Sequence, residues 1–362
     1  MTLLSNLLLF GGGHSGFSSY VRRVIPAIPG MRLLIDGARG PVCRSGDRLP
    51  EEPPSPALAL LARLSLTQHG VNMSRTLAAA GLTRSGIEAV YSPFCDALLA
   101  LPGVPQVITC HDLTPLYLPN SRRAAWRYRL WNPVHLRRAQ RVIAISHFVA
   151  DQLIDLGVPM DRIRVVPNGI GAVAQPRHEP DGADLLMLAR HDGNKNVLHA
   201  LRGFAHFLAG RPDWPGKLRI VGRQGRLTRE LQRAIRAMDL EDRVELIASL
   251  KQADLDAQLR QCLALVSSTR MEGFDYPVLE AMAQGIPCLI SDIPVHRELY
   301  EDAALFFGLE DRGEDMATAL DELLRDSSLW SDLAKAGISR AKSLSLTKQH
   351  EGILAAISEL KG

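Results

Sequence analysis

Residues 272–280 read Glu272-Gly273-Phe274-Asp275-Tyr276-Pro277-Val278-Leu279-Glu280. The apolar run Leu263–Ser267 just before them has the length and composition of a buried parallel strand. Pro277 then opens a helix that the pattern carries to Gln284. Proline suits that position because the N–H it lacks would be unpaired there anyway. Strand, polar loop and helix in succession form the unit from which open α/β sheets are built. Glu272 falls in the loop, at the carboxyl end of the strand. Glu280 is expected in the first helical turn, where the helix dipole favours a carboxylate. Two carboxylates and a helix start therefore converge on one spot, suited to sugar hydroxyls and to phosphate. The plainer alternative is a cap at Glu280 and a solvated Glu272.

Outward from this unit the same alternation recurs. In the second half, strands are expected at Leu185–Ala189, Leu218–Val221, Val244–Ile247 and Cys288–Ser291. Helices are expected near Val197–Leu208, Arg226–Met238, Leu255–Cys262 and Met316–Arg325. The first half offers strands at Leu7–Phe10, Leu33–Ile35, Ala89–Tyr91, Gln106–Thr109 and Val142–Ile145, with helices at Phe17–Ala27 and Pro56–Leu66. The stretch Gly169–Asp184 carries three glycines and two prolines with no helical or strand period, and is the expected boundary. The chain's 362 residues also exceed the ~250–300 at which a single core stops growing. Two doubly wound α/β domains facing a cleft are the expected architecture, with ligands outside the carboxyl ends of the strands.

Composition narrows the class. The apolar fraction is 46% and the charged fraction 22%, which is globular. Mean hydropathy is close to zero, and no run approaches the ~18 apolar residues of a membrane span. Met1–Phe10 is too short, and lacks the basic flank, for a secretory leader. Five scattered cysteines without a C-x-x-C pair argue against disulfides and structural zinc and fit a reducing cytoplasm. The net charge of +3 hides an asymmetry: residues 1–174 carry +8 and residues 175–362 carry −5. Lys195 is the first lysine in the chain.

Three more loops carry chemistry. Gly11-Gly12-Gly13-His14-Ser15-Gly16 fits G-x-G-x-x-G, and Asp36 lies 20 residues beyond Gly16. That layout allows a dinucleotide site, a backbone cradle for sugar or phosphate, or a plain tight turn. Arg190 and Lys195 stand on the loop leading into helix Val197–Leu208, where cations oppose the helix dipole. They make sense around an anion, and a diphosphate fits. His111-Asp112 follows a strand, with Pro115 soon after to block a regular helix. The histidine there is suited to donating a hydrogen bond or positioning a sugar. Ser146 reads as a helix cap. Asp254-Leu255-Asp256 matches D-x-D, but it opens a helix and is read as capping. Between Ser121 and Arg141 there are seven arginines and no acid. Arg122, Arg123, Arg127 and Arg129 interleave with Trp126, Tyr128 and Trp131. Trp126, Leu130 and Val134 share a helical face, with a kink expected at Pro133. This segment suits an anionic membrane surface; solvated arginines around buried aromatics are the alternative.

Together these residues resemble the retaining glycosyltransferases of family 4, with the GT-B fold. The matching stretches are GGGHSGFSSYVRRV, YSP at 91–93, HDLTPLYLP from His111, RRAQRVIAISHFVADQL, RVVPNGI, LARHDGNKN at 188–196, IVGRQGR at 220–226 and EGFDYPVLEAMAQGIPCLISDIPVHREL from Glu272. They span almost the whole chain. The paired glutamates with EAMAQGIP are highly specific, whereas GGG and HD alone are weak. Tyr20-Val21 after the glycine loop is the family pattern and weighs against a dinucleotide there. Asp275-Tyr276 departs from the family's usual Gly-Leu, and Asn196 replaces a usual glycine.

The resemblance implies domains of 1–170 and 171–344, with 345–362 returning to the first. Its implied catalytic residues are His111 at the reacting sugar, Arg190 and Lys195 on the donor diphosphate, and Glu272 near the donor sugar. Gly12, Gly13, Gly273, Phe274 and Asp275 are implied as donor-binding, with Glu280 on the ribose. The family needs no metal and no cofactor beyond its nucleotide sugar. SDIPVHREL resembles bacterial mannosyltransferases, which favours GDP-mannose as donor and a glycan, lipid-linked, as acceptor. The expected setting is the cytoplasm, at the inner face of the cell membrane. A UDP-sugar transferase is the alternative. A nucleotide-sugar epimerase or hydrolase, or an NAD-dependent dehydrogenase using Gly11–Gly16, is more remote. Nothing else in the chain supports nucleic-acid binding.

Overall fold

The computed structural model describes residues 2–10, 16–37, 40–46, 49, 73–119 and 121–360. The chain divides into two compact units, Met1–Gly169 with Leu346–Gly362, and Ile170–Ser345. The expected helix Pro56–Leu66 and the glycines Gly12 and Gly13 lie outside the described residues.

The first unit holds β1 (Thr2–Leu7), β2 (Met31–Gly37), β3 (Gly40–Ser45), β4 (Ile87–Ser92), β5 (Gln106–Cys110), β6 (Arg141–Ala144) and β7 (Ile163–Val165). They form one sheet in the order β3-β2-β1-β4-β5-β6-β7. All neighbours are parallel except the β2–β3 pair. The first strand runs earlier than the apolar run Leu7–Phe10 suggested. Ser5 and Asn6 sit fully buried inside it, and such polar residues mask a strand. Asn6 is satisfied there, because its Nδ2 donates to Ser92 Oγ at 3.1 Å and to Asp96 Oδ2 at 3.3 Å. β3 lies at a sheet edge, where its Pro41 is tolerated.

Helices Gly16–Val24 and His147–Asp155 belong to this unit, and Ser146 caps the second by accepting from Val149 N–H at 3.2 Å. Arg122–Arg138 is assigned as one 17-residue helix with Pro133 inside it. The four-residue helix Thr114–Tyr117 carries Pro115 in its first turn, where proline is compatible. The C-terminal helix Leu346–Ser358 packs on β5, β6 and helix Gly16–Val24. It buries Ile353, Ala356 and Ile357 in a core shared with Leu7, Tyr20, Val107 and Ile143.

The second unit contains β8 (Leu185–Leu188), β9 (Leu218–Val221), β10 (Val244–Ile247), β11 (Ala264–Ser267), β12 (Cys288–Ser291) and β13 (Leu305–Phe307). All are parallel, in the order β10-β9-β8-β11-β12-β13. The runs of the inner strands β8, β11 and β12 are buried on both faces, as a sheet covered by helices requires, while the edge strands β10 and β13 are only partly buried. Leu185, Leu218, Ile220, Ala264 and Leu289 are fully buried against Leu201, Phe204 and Leu320 of the covering helices. Each leucine, isoleucine or phenylalanine so buried stabilises the fold by roughly 1.5–3 kcal/mol. The strand order reverses between β8 and β11. At such a switch point, loops leaving two neighbouring strands part to opposite faces and open a crevice.

Candidate active site

The loops after β8 and β11 carry most of the residues singled out in the second half. Past Leu188 the chain runs through Arg190 and His191 into a 3-10 turn, Gly193–Lys195. The loop after β9 presses on it from one side. A Cβ at Gly222 would overlap the Ala189 carbonyl, and one at Gly225 the His191 carbonyl. His191 Nδ1 donates to Thr228 Oγ1 at 2.9 Å, whose own proton goes to the Gly225 carbonyl at 3.0 Å. Asn196 then takes a left-handed conformation, φ 49° and ψ 40°, before helix Val197–Gly210. Asparagine tolerates that region better than most residues, so it fills the place of the missing glycine.

The β11 loop stitches onto this turn across the switch point. Ser268 Oγ donates to the Asn196 carbonyl at 2.9 Å. Thr269 Oγ1 and Arg270 N–H converge on the Asn194 carbonyl at 3.0 and 2.8 Å. The result fixes Lys195 among carboxylates. Its Nζ lies 2.9 Å from Glu272 Oε1 and 3.6 Å from Asp275 Oδ1. Glu272 Oε1 also faces Thr269 Oγ1 at 3.1 Å and Asn194 Nδ2 at 3.4 Å. Burial opposes the Lys195 charge, but Asp275 and Glu272 outweigh it and raise the ammonium's pKa; Arg190 acts the other way. Burial likewise opposes ionisation of Asp275. Lys195, then His296 and Ser267, reverse that and hold the carboxyl well below its usual range.

Arg190 stands apart from this cluster. It is exposed, and its Nη1 lies 3.5 Å from Asp192 Oδ2. Phe274 is buried against Tyr276 and Tyr300, and the Tyr300 hydroxyl donates to the Phe274 carbonyl at 3.0 Å. Its side chain thus anchors the loop. Gly273 is also buried. Helix Tyr276–Ala283 begins one residue earlier than expected and has no acid in its first turn. Glu280 therefore lies in the second turn, partly buried, which corrects its expected position. The extra residue comes from Asp275, whose left-handed backbone starts the helix at Tyr276. Asp254 lies in the first turn of helix Gln252–Gln261, but the cap position is Lys251 and no side chain caps the helix, which corrects the capping reading of Asp254-Leu255-Asp256.

His111 follows β5 in the first unit. Its Nε2 donates to the Pro93 carbonyl at 2.8 Å. Its ring meets Phe17 and Tyr20 edge-on, with centroids 5.0 and 4.4 Å away. Burial lowers its pKa to about 4, against the raising effect of Pro93. The ring is thus neutral near pH 7, and Nδ1 is an acceptor. Beneath it the Tyr20 hydroxyl is 2.8 Å from that of Tyr91, and both reach Thr109 Oγ1. Asp112 accepts from Thr114 N–H at 3.1 Å and turns the chain into the short helix.

The basic segment divides. Trp126 is 67% exposed and Leu130 49%. Arg122 and Arg129 are also exposed. Trp131 is half-buried, its ring 6.2 Å from that of His135, and the Arg127 guanidinium lies 5.9 Å from the Tyr128 ring. Arg123 lies in the same helix. Arg138 is committed internally, donating to the Leu101 and Val104 carbonyls at 2.8 and 2.7 Å. Arg141 pairs with Glu359. Among the described residues, no helix is long and apolar enough to cross a membrane. None of their His, Cys, Asp and Glu side chains form a group of three able to hold a metal ion.

Sequence reasoning missed His296, Ser267, Thr269 and Asn194. His296 and Asn194 lie in stretches already singled out, SDIPVHREL and LARHDGNKN, but nothing in the first run announces a partner 21 residues away, nor in the second one 78 residues away.

Two family profiles match adjoining stretches of the chain: Glycosyltransferase Family 4 over residues 42–172, and Glycosyl transferases group 1 over 173–340. The chain belongs to this glycosyltransferase family, and its two Rossmann-like units are those of the GT-B fold. Among curated relatives, the O-antigen chain mannosyltransferase RfbU of Salmonella typhimurium is 26% identical over 57% of this chain. The GDP-mannose:cellobiosyl-diphosphopolyprenol alpha-mannosyltransferase of Xanthomonas campestris is 31% identical over 54% of it. The chain spans 57% and 51% of those two proteins' lengths. Among solved structures, HepE of Anabaena with UDP and glucose superposes with a TM-score of 0.74 at 15% identity, covering 99% of this chain and all of that one. Sucrose-phosphate synthase of Thermosynechococcus elongatus gives 0.74 at 18% identity, covering 99% of each chain.

Proposed function

We infer that the protein transfers a hexose, mannose from GDP-mannose, with retention of configuration, onto a hydroxyl of a glycan acceptor carried on lipid. The setting is bacterial surface polysaccharide assembly, at the inner face of the cell membrane. The carrying observation is Lys195, a partly buried ammonium with its side chain 14% exposed, held 2.9 Å from Glu272 at the switch point of the second sheet. A fixed cation there meets the negative charge that grows on a departing diphosphate, where electrostatic stabilisation is worth most. Arg190, exposed on the same loop, supplies a second cation. The bond from the anomeric carbon to the diphosphate oxygen breaks. A bond to the acceptor oxygen forms, and the acceptor proton passes to the departing phosphate. Glu272 accepts from the sugar hydroxyls, and Glu280 from the ribose. Backbone amides of Gly273, Phe274 and Asp275, with Gly12 and Gly13, approach sugar and phosphate. The neutral His111, with Nδ1 as acceptor, suits a sugar hydroxyl. No metal enters this scheme.

Mannose rests on the relatives, whose names are those of mannosyltransferases. A UDP-sugar donor is the second reading. HepE was solved with UDP and glucose, and a Salmonella lipopolysaccharide 1,6-galactosyltransferase is 26% identical over 52% of the chain. A donor panel decides. GDP-mannose, UDP-glucose and UDP-galactose are compared by nucleotide release, with and without a lipid-linked oligosaccharide acceptor. Acceptor-dependent GDP release from GDP-mannose is expected. UDP release alone would move the assignment to the second reading, and release without acceptor would move it to a hydrolase. The exposed face of Arg122, Trp126, Arg129 and Leu130 is proposed to meet anionic lipid, together with Arg123, Arg127 and Trp131 of the same helix.

A further inference from the structure

Asp275 is an odd residue for its place. Its backbone is left-handed, φ 66° and ψ 70°, a conformation free to glycine and costly to residues with a side chain. Its carboxylate is 1% exposed. A residue serving only the turn would carry no buried charge, so the carboxylate has work to do. One oxygen, Oδ2, accepts from Ser267 Oγ at 2.6 Å and faces His296 Nε2 at 3.1 Å. The other, Oδ1, has no hydrogen bond and faces Lys195 Nζ at 3.6 Å.

His296 is completely buried on helix Pro294–Tyr300. Its Nδ1 lies 2.8 Å from the Ser291 carbonyl while Nε2 faces Asp275. Both oxygens only accept, so a ring carrying protons on both nitrogens satisfies both. The cluster then balances: two carboxylates, Glu272 and Asp275, against two cations, Lys195 and His296. The distances matter. At 3.6 Å the Lys195–Asp275 contact attracts but is too long for a good hydrogen bond. With Oδ2 occupied by Ser267 and His296, the carboxylate cannot turn to grip the ammonium more tightly.

We propose that His296 positions Lys195 through Asp275. The His296–Asp275 pair fixes the carboxylate that sets the ammonium's place, and leaves its protons for the departing diphosphate. His296 touches neither donor nor acceptor; it is a positioning residue. The proposal rests on the donor-diphosphate reading of Lys195.

Two substitutions of similar size separate this role from mere packing. In His296→Asn the amide nitrogen falls near the place of Nδ1, keeping the bond to Ser291 and losing the one to Asp275. In His296→Gln it reaches the place of Nε2 and keeps Asp275. His296→Asn is expected to lower kcat on the order of tenfold, with donor KM changed less than about twofold, and His296→Gln to restore most of the loss. Asp275→Asn combined with His296→Asn is expected to be no slower than Asp275→Asn alone, because both act on one path. Equal losses in the two His296 variants, or additive losses in the double variant, would overturn the proposal. If those variants do not fold, nitrogen NMR of the unmodified protein still tests it. Ring N–H signals at both Nδ1 and Nε2 are expected, and a ring with a bare Nε2 contradicts it. Calorimetry with GDP and with UDP separates the two readings. Unchanged affinity in Lys195→Ala strikes the donor reading itself. Lost affinity there, with silent His296 variants, strikes only the positioning role.

Discussion

His111 shows what burial does to a single titratable group. The unfolded histidine titrates near 6.5, and the folded one near 4. The folded state thus binds fewer protons between those values, and stability rises with pH across that window. Its contribution is complete above about pH 6.5 and is lost progressively as pH falls towards 4, to a limit of roughly 3 kcal/mol. His111→Gln, which keeps a donor for Pro93, should flatten that part of the melting-temperature profile measured from pH 7 to 4. An unchanged slope would mean that another group carries it. At this scale the sequence revealed residues that stand out within their own loop. Lys195 and Glu272 each follow a strand, so strand ends alone drew attention to them. Asp275 was visible only as a departure from pattern. His296 was visible only as a member of the SDIPVHREL stretch and not in its role, because its partner comes from another element and spacing along the chain carries no trace of it.

Elements were legible where their chemistry was uniform. The β8–β12 runs are mainly apolar segments, broken by a charge only at Arg219 of β9 and Glu245 of β10, and fall within a residue or two of expectation. β1 was displaced because Ser5 and Asn6 are buried polar residues, and Asn6 is tolerable only where a folded neighbour, Ser92 with Asp96, accepts from it. The edge strands β7 and β13, three residues each, were too short to set a period, and β3 opens on Gly40-Pro41 and closes on Arg44-Ser45, which breaks an apolar run. The C-terminal helix is the element whose contribution can be weighed. Ile353 is fully buried beneath it, so Ile353→Ala should cost about 2–5 kcal/mol in chemical denaturation. A loss below 0.5 kcal/mol, on the order of a surface substitution, would show the helix undocked. Just past the helix, Glu359 lies 2.7 Å from both Arg141 of β6 and Arg164 of β7. Hydrogen bonds from Arg164 and then Arg141 lower its pKa to about 2. This contribution is whole above the unfolded carboxyl value near 4.3 and fades as pH falls towards 2. Because Glu359 is a third exposed, each pair is worth no more than about 1 kcal/mol.

At the scale of the whole molecule the charge asymmetry finds a structural basis. The arginines between Ser121 and Arg141 are not one patch. Arg138 and Arg141 hold the first unit together, while Arg122 and Arg129 face solvent near Trp126 and Leu130. Sequence alone could not make that division, since all seven look alike until their partners are placed. If the exposed set meets lipid, the protein should sediment with phosphatidylglycerol vesicles at low salt and release as ionic strength shortens the Debye length. Trp126→Ala with Arg129→Glu should abolish sedimentation, while turnover on a soluble acceptor persists. Failure to sediment at low salt would remove the membrane contact and leave the transferase reading intact. That reading stands on Lys195. Its most direct test is nucleotide release at saturating donor and acceptor by the unmodified protein and by Lys195→Ala. The account predicts a fall in kcat of ~10²–10³, as for other lost electrostatic donors, with the fold unchanged by circular dichroism. Turnover near that of the unmodified protein would contradict it.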